Sequence, residues 1–224
     1  MRTIGLGLTV FIILLNLCLS TLGFSEQLAV TKDGKQVVLR DNGSWEYAKE
    51  ETTRADTPDF RQTQWGMTKP QVRAAEKGEI LTERDDVIGY QGSIAGLECF
   101  IFYVFAEGKL VRTKYVITTS HSNQNDYIAD YINLEQNLSQ KYGKPTKDAS
   151  YWLNDLYKDE FQQRGFAISL GHLAYSASFE KERTSITLYL HGENYKINLG
   201  IEYRSKMLRE LEEKKEQQKA RDEF

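Results

Sequence analysis

Cysteine is scarce in this chain, with two among 224 residues, Cys18 and Cys99. Cys18 falls in the N-terminal apolar run described below. Once that run is removed Cys99 stands alone, and no intrachain disulfide can form. Stability must then come from core burial, for which residues 26–224 are long enough. Histidine is nearly as scarce. His121, His172 and His191 lie in no HExxH, HxH or Cys–His spacing, which leaves a zinc site without support. A strong charge of either sign is lacking too. The formal net charge is −3, moving to about −4 without Arg2, and gives no electrostatic footprint for nucleic acid or anionic lipid.

Recognisable catalytic motifs are also missing. The segment nearest a GxSxG elbow, Gln91-Gly92-Ser93-Ile94-Ala95, lacks the flanking glycines that make the strained turn. There is no P-loop and, after the leader, no GxGxxG. Asp33, Asp41 and Asn42 do not follow the spacing of a calcium loop. Acidic pairs such as Asp85-Asp86 and Asp159-Glu160 are neighbours in sequence, which suits loop solvation better than an acid and a base held across a cleft. No cofactor and no metal are expected, and the chain reads as non-catalytic. A hydrolase with a dispersed site would escape this search; it would need polar residues clustered around His172 or His191. Those two imidazoles could converge at one sheet end if their strands were adjacent, but isolated surface histidines are the simpler reading.

What is present begins with an address. Arg2 precedes the apolar run Ile4–Leu15, and small residues follow near Ser20 and Ser25. That is the layout of a secretory signal peptide over residues 1–25, with cleavage expected after Gly23-Phe24-Ser25 or, alternatively, after Gly23. The run is short for a spanning helix, which needs about 20 apolar residues. Cys18 follows Asn16-Leu17 and so lacks the small residue that lipid attachment requires. The protein is expected to be exported, to the periplasm of a two-membrane bacterium or to the extracellular space.

Residues 26–47 read as a β-meander, Leu28–Thr31, Val37–Arg40 and Trp45–Tyr47, with turns at Asp33-Gly34 and Asp41-Asn42-Gly43-Ser44. Two hairpins of this size are marginal alone, so Trp45 is expected to pack on a neighbour or, alternatively, to anchor a binding ribbon. Residues 48–59 carry no large apolar side chain before Phe60 and read as a linker. In the main region, 60–203, Thr68 and Gln71 form a capping-box pattern at a helix start, and Gly78 is the expected stop. Strands are expected at 86–93, 97–105 and 109–119. The second of these is apolar on both faces and so central, with Cys99 a buried, inert thiol. Tyr127, Tyr131, Leu134 and Leu138 give one stripe on a helix over 126–142, closed by Gly143 and Pro145. An irregular stretch at 146–164, with one or two helical turns near 155–163, leads to strands at 166–170, 173–180, 184–191 and 195–203. The pattern predicts an α+β fold, antiparallel sheet packed by two amphipathic helices, with helix-then-strands repeated as in a degenerate duplication. Residues 204–224 form a charged tail, eleven of the last sixteen residues being charged, and read as a solvated helix rather than a coiled coil.

Thirteen tyrosines and three tryptophans can fill the core and still place amphipathic rings at a surface. Trp45, Tyr151, Trp152 and Tyr157 make the candidate binding surface, the last three being in the irregular stretch where a binding loop would sit. The alternative is that those three rings simply cover one face of the sheet.

The segment Gly66-Met67-Thr68-Lys69-Pro70-Gln71-Val72 resembles the helix start of SmpA/OmlA-type envelope lipoproteins and of β-lactamase-inhibitor-protein-like repeats, and Tyr142-Gly143-Lys144-Pro145 resembles the close of a helical segment in them. Together with Trp65, the same motifs resemble a group of exported bacterial proteins that has no activity to transfer. The resemblance implies a unit of helix and antiparallel strands that acts by binding other proteins; no catalytic residue comes with it. The lipobox and the Gly-x-Pro closing the first helix are missing here. Another envelope protein is thus the expected partner, with a glycan or small apolar ligand as the alternative.

Overall fold

The computed structural model describes residues 27–31, 36–39, 43–47 and 57–222. The chain divides into two compact units at Asp56/Thr57. The expected leader, most of the expected linker and the turn at Asp33-Gly34 lie outside the described residues.

The first unit contains a three-stranded antiparallel meander, β1 (Gln27–Val30), β2 (Gln36–Leu39) and β3 (Trp45–Tyr47). Ala29 and Val37, which pair across β1 and β2, are buried.

The second unit is α+β. Its single eight-stranded sheet is built from β4 (Ile80–Arg84), β5 (Val87–Ile94), β6 (Leu97–Ala106), β7 (Lys109–Ile117), β8 (Lys147–Trp152), β9 (Leu173–Glu180), β10 (Thr184–Glu193) and β11 (Lys196–Ser205). All neighbours are antiparallel, in the order β4-β5-β6-β7-β11-β10-β9-β8. Helix α1 (Lys69–Ala75) precedes the first four strands and α2 (Asp126–Tyr142) the last four. The two meanders join where β7 meets β11, with Ile201 opposite Tyr115 and Arg204 opposite Arg112.

Alternation places Tyr103, Thr113, Tyr203, Ile186, Leu188 and Leu190 on one face, all buried. Tyr131, Leu134 and Leu138 of α2 are buried in the same core. Phe60 closes the middle, its ring 5.6 Å from Tyr103, 5.1 Å from Tyr115 and 4.9 Å from Tyr203. The Trp65–Thr68 segment is structural. Trp65 donates its indole N–H to Thr184 Oγ1 at 2.9 Å. Gly66 N–H donates to the Leu110 carbonyl at 2.9 Å, and the Leu110 N–H to the Met67 carbonyl at 2.8 Å. At the helix start Gln71 Oε1 accepts the Thr68 N–H at 2.8 Å, as the capping pattern predicts.

Several boundaries differ from the expectation. Helix α1 stops at Glu76, not Gly78, because the Glu76 carboxylate turns inward to Arg61 and Tyr103. Strands β4 and β8 were not expected. Both are edge strands whose exposure does not alternate, so no period of two marks them. The strand expected at 166–170 is instead a helix, α3 (Arg164–Ser169), which buries Gly165, Ala167, Ile168 and Ser169. Over five residues, alternate apolar positions do not separate a strand from a buried helical turn. The tail forms helix α4 (Arg209–Asp222), and it is not solvated all round. Glu212 is 3% exposed and lies 2.8 Å from Arg112, while Lys215 Nζ donates to the Phe105 carbonyl at 2.7 Å and pairs with Asp86 at 2.7 Å.

Burial raises the phenols of Tyr103, Tyr131 and Tyr203 above the ordinary tyrosine range. A phenol raised on folding favours the native state while protonated. That contribution is intact below pH ~10 and is lost as pH rises beyond it. Alkaline unfolding is therefore expected above pH ~10, with these tyrosines ionising in step with the loss of circular dichroism. Gradual ionisation at 295 nm with the fold intact would show that the rings are accessible.

Candidate functional site

The corner that follows β8 holds Leu153, Leu156 and Phe161, which are among the most exposed large apolar side chains of the described residues. Leu153 N–H donates to the His172 carbonyl at 2.7 Å, turning the chain out of the sheet. Two 3-10 turns follow, Asp155–Tyr157 and Phe161–Gln163, the first opened by Asn154 accepting the Leu156 N–H at 2.9 Å. This agrees with the helical turns expected near 155–163. Asn125, at the start of α2, clamps the far end: its amide donates to the Gln162 carbonyl and accepts the Gly165 N–H, each at 2.8 Å. The β10–β11 turn completes the corner, Tyr195 N–H donating to the Ser169 carbonyl at 3.0 Å.

Leu153, Leu156, Phe161 and Tyr195 are 64–76% exposed, although the backbone that carries them is pinned at both ends. Tyr157 stands 5.5 Å from Phe166, which stands 6.4 Å from Tyr195, so a row of rings supports the exposed side chains. The Arg164 guanidinium lies 4.0 Å above the Phe161 ring. Asn194 and Tyr195 adopt φ of 52° and 65°. A glycine would hold the second position without steric cost, whereas a bulky side chain is strained there. The rim is acidic: Asp155 pairs with Lys158 at 3.1 Å, while Asp159 and Glu160 form no ion pair among the described residues.

The four expected site residues divide. Tyr151 is 39% exposed, with Lys147 Nζ 5.4 Å from its ring centre. Trp152 and Tyr157 are half-buried against the core, which is the covering role given above as the alternative. Trp45 is 49% exposed and belongs to the first unit. Tyr195 falls at the start of the strand expected at 195–203, and Leu153, Leu156 and Phe161 lack the polar tip that marks Trp152 and Tyr157. Their signal was large apolar residues in a polar stretch with no period.

The histidines do not form a centre. His172 stacks on Tyr157 at 6.0 Å, and His191 lies 5.5 Å from Tyr189. His121 Nε2 lies 2.6 Å from Asp130 Oδ2, fastening the β7–α2 loop to α2. Among the described residues no group of three or more His, Cys, Asp or Glu could hold a metal ion, and no helix is long and apolar enough to cross a membrane. Cys99 is buried, its thiol pushed up to about 11 by burial.

On the face of the sheet opposite the core helices β10 and β11 are polar, whereas β6 places Phe100, Phe102 and Val104 there and Glu212 of α4 packs against Arg112 and Arg204. Glu202 of β11 lies 2.5 Å from both Lys114 Nζ and Arg204 Nε. Burial works against its ionisation, but these two hydrogen-bonded cations hold its carboxyl below the ordinary range. Comparison with known proteins finds no match: no family model, curated protein or solved structure is significantly similar to the chain.

Proposed function

We propose that this is an exported, non-catalytic binding module that engages another envelope protein through the corner formed by residues 153–163 and Tyr195. One observation carries the reading: four large apolar side chains stand 64–76% exposed on a backbone fixed by hydrogen bonds. Exposed apolar residues gathered on a rigid support, with a polar rim, are what interface anchors require. The acidic rim fits a partner whose groove is apolar and edged with cations. The periplasmic address rests on the leader pattern in residues 1–25. A helix followed by four antiparallel strands, twice, supports reading the second unit as a degenerate duplication. It also agrees with the helix-and-strand unit of the binding families that residues 66–72 and 142–145 resemble.

A photo-crosslinking residue placed at 156 or 161 of the full chain, in its native envelope, tests the proposal. Both positions are expected to label one protein, and a probe at Glu98 is expected not to. The double variant Leu156→Asp, Phe161→Asp should abolish the adduct while changing stability by no more than about 0.5 kcal/mol per site, since both side chains are exposed. Adducts to lipid alone, or labelling that survives the double variant, would overturn it.

A further inference from the structure

A groove of about 580 Å³ lies over β10 and β11 on the face of the sheet opposite the core helices, sharing no residue with the apolar corner. Its floor carries Ser185, Thr187 and Tyr189 of β10 beside Glu202 and Arg204 of β11, and Glu180 and Lys206 stand at one side. The charges in it are already matched. Glu202 is held by Lys114 and Arg204, Lys206 lies 2.5 Å from Glu180, and Arg209, also at the wall, pairs with Glu213 at 2.8 Å. Among the described residues, each of these cations thus has a carboxylate beside it and each carboxylate a cation. What the floor offers is hydroxyl groups, carboxylate and guanidinium edges in fixed positions, and one aromatic ring.

That ring is unusually placed. Tyr189 lies directly across the ladder from Gly200. A Cβ on Gly200 would fall 2.5 Å from the Tyr189 hydroxyl oxygen and 2.7 Å from its Cζ. The hydroxyl end of the ring therefore lies over the glycine backbone rather than standing off the sheet, and the ring lines the groove. A flat apolar platform flanked by fixed donors and acceptors matches a ligand with one apolar face and a hydroxylated rim. We propose that this groove binds a neutral pyranose unit of a glycan, its C–H face on Tyr189 and its hydroxyls bonded by Glu202 and Arg204. The site is separate from the proposed protein-binding corner and does not depend on that reading.

The test titrates the full chain with maltotriose, cellotriose and triacetylchitotriose, and with a sulfated disaccharide, by calorimetry and saturation-transfer NMR. At least one neutral trisaccharide should saturate the protein below about 20 mM. Tyr189→Ala should weaken that binding about tenfold, and Tyr189→Phe, which keeps the platform, should leave it within about threefold. Leu156→Asp with Phe161→Asp should leave sugar binding unchanged, which separates this site from the corner. Three outcomes overturn the proposal: no neutral sugar saturates, Tyr189→Ala binds like the parent, or the sulfated disaccharide binds tighter than every neutral one.

Discussion

Replacing Gly192 by alanine is expected to cost about 3 kcal/mol, lowering the thermal midpoint by roughly 6–12 °C for a chain of this length. Gly192 lies near the end of β10, on the core face, where α3 crosses the sheet. A Cβ there would fall 2.2 Å from the Ile168 carbonyl oxygen, 2.9 Å from the Ile168 carbonyl carbon and 2.9 Å from the Lys196 carbonyl oxygen. Every obstructing atom is backbone, so no side-chain rotation relieves the clash, and α3 must lift from the sheet. Gly165, on the other flank of α3, meets the same constraint, with its Cβ site 2.3 Å from the Gln124 carbonyl carbon. Helix propensity alone would favour alanine at 165 by up to about 1 kcal/mol, so a destabilised Gly165→Ala would show that packing outweighs propensity. Gly96 is the control. Its φ is +83° and nothing lies within 4 Å of its Cβ site, so alanine should cost only about 1 kcal/mol. Equal midpoints for Gly192→Ala and Gly96→Ala would mean that α3 yields without cost.

These two glycines also show why part of the fold was legible in the sequence and part was not. Helix α2 announces itself by a stripe at helical spacing and a positive-φ glycine at its end, and Gly143 adopts φ 89° there. Strand β6 is apolar on successive residues because it is covered on one face and half-covered on the other. Such signals are local. Helix α3 is short, and what makes it a helix is the space that Gly165 and Gly192 leave for its backbone, a tertiary fact that periodicity does not record. Edge strands β4 and β8 pair on one side only, and the sequence carries no alternating burial to mark them. The pairing of β7 with β11 joins segments more than eighty residues apart, beyond the reach of hairpin reasoning. Near the candidate corner, sequence reasoning singled out Trp152 and Tyr157, which the core recruits. Leu153, Leu156 and Phe161 stand out only once their neighbours are known to be satisfied.

Removal of the Glu76 carboxylate is expected to be the other large loss, about 2–3 kcal/mol for Glu76→Ala. Glu76 accepts from Arg61 Nε at 2.9 Å and Nη2 at 3.3 Å, and it accepts the Tyr103 hydroxyl as well. Arg61 has φ 50° in the tight turn that seats Phe60 on the aromatic core, so this carboxylate fixes the entry of the second unit to β6. Its loss strands a phenol with no exposed surface and a guanidinium 37% exposed. Breaking a fully buried pair costs about 3–5 kcal/mol; water reaching Arg61 reduces the expected figure here. Removing both partners should cost less than the sum of the single losses, because no charge is then left behind. An isosteric variant, not the pH dependence, separates this account from simple loss of packing. Burial, then the hydrogen bond to Glu76, raises the Tyr103 phenol in the folded state. The parent therefore loses stability as pH rises beyond ~10, where the unfolded phenol gives up its proton. Without Glu76 burial still raises the phenol, so the alkaline slope to about pH 11 is shared by parent and variant. Glu76→Gln keeps the volume and removes the charge, and urea denaturation at pH 8 should show it losing more than half of what Glu76→Ala loses. A Glu76→Gln variant as stable as the parent would show that the cost of Glu76→Ala is the cavity alone.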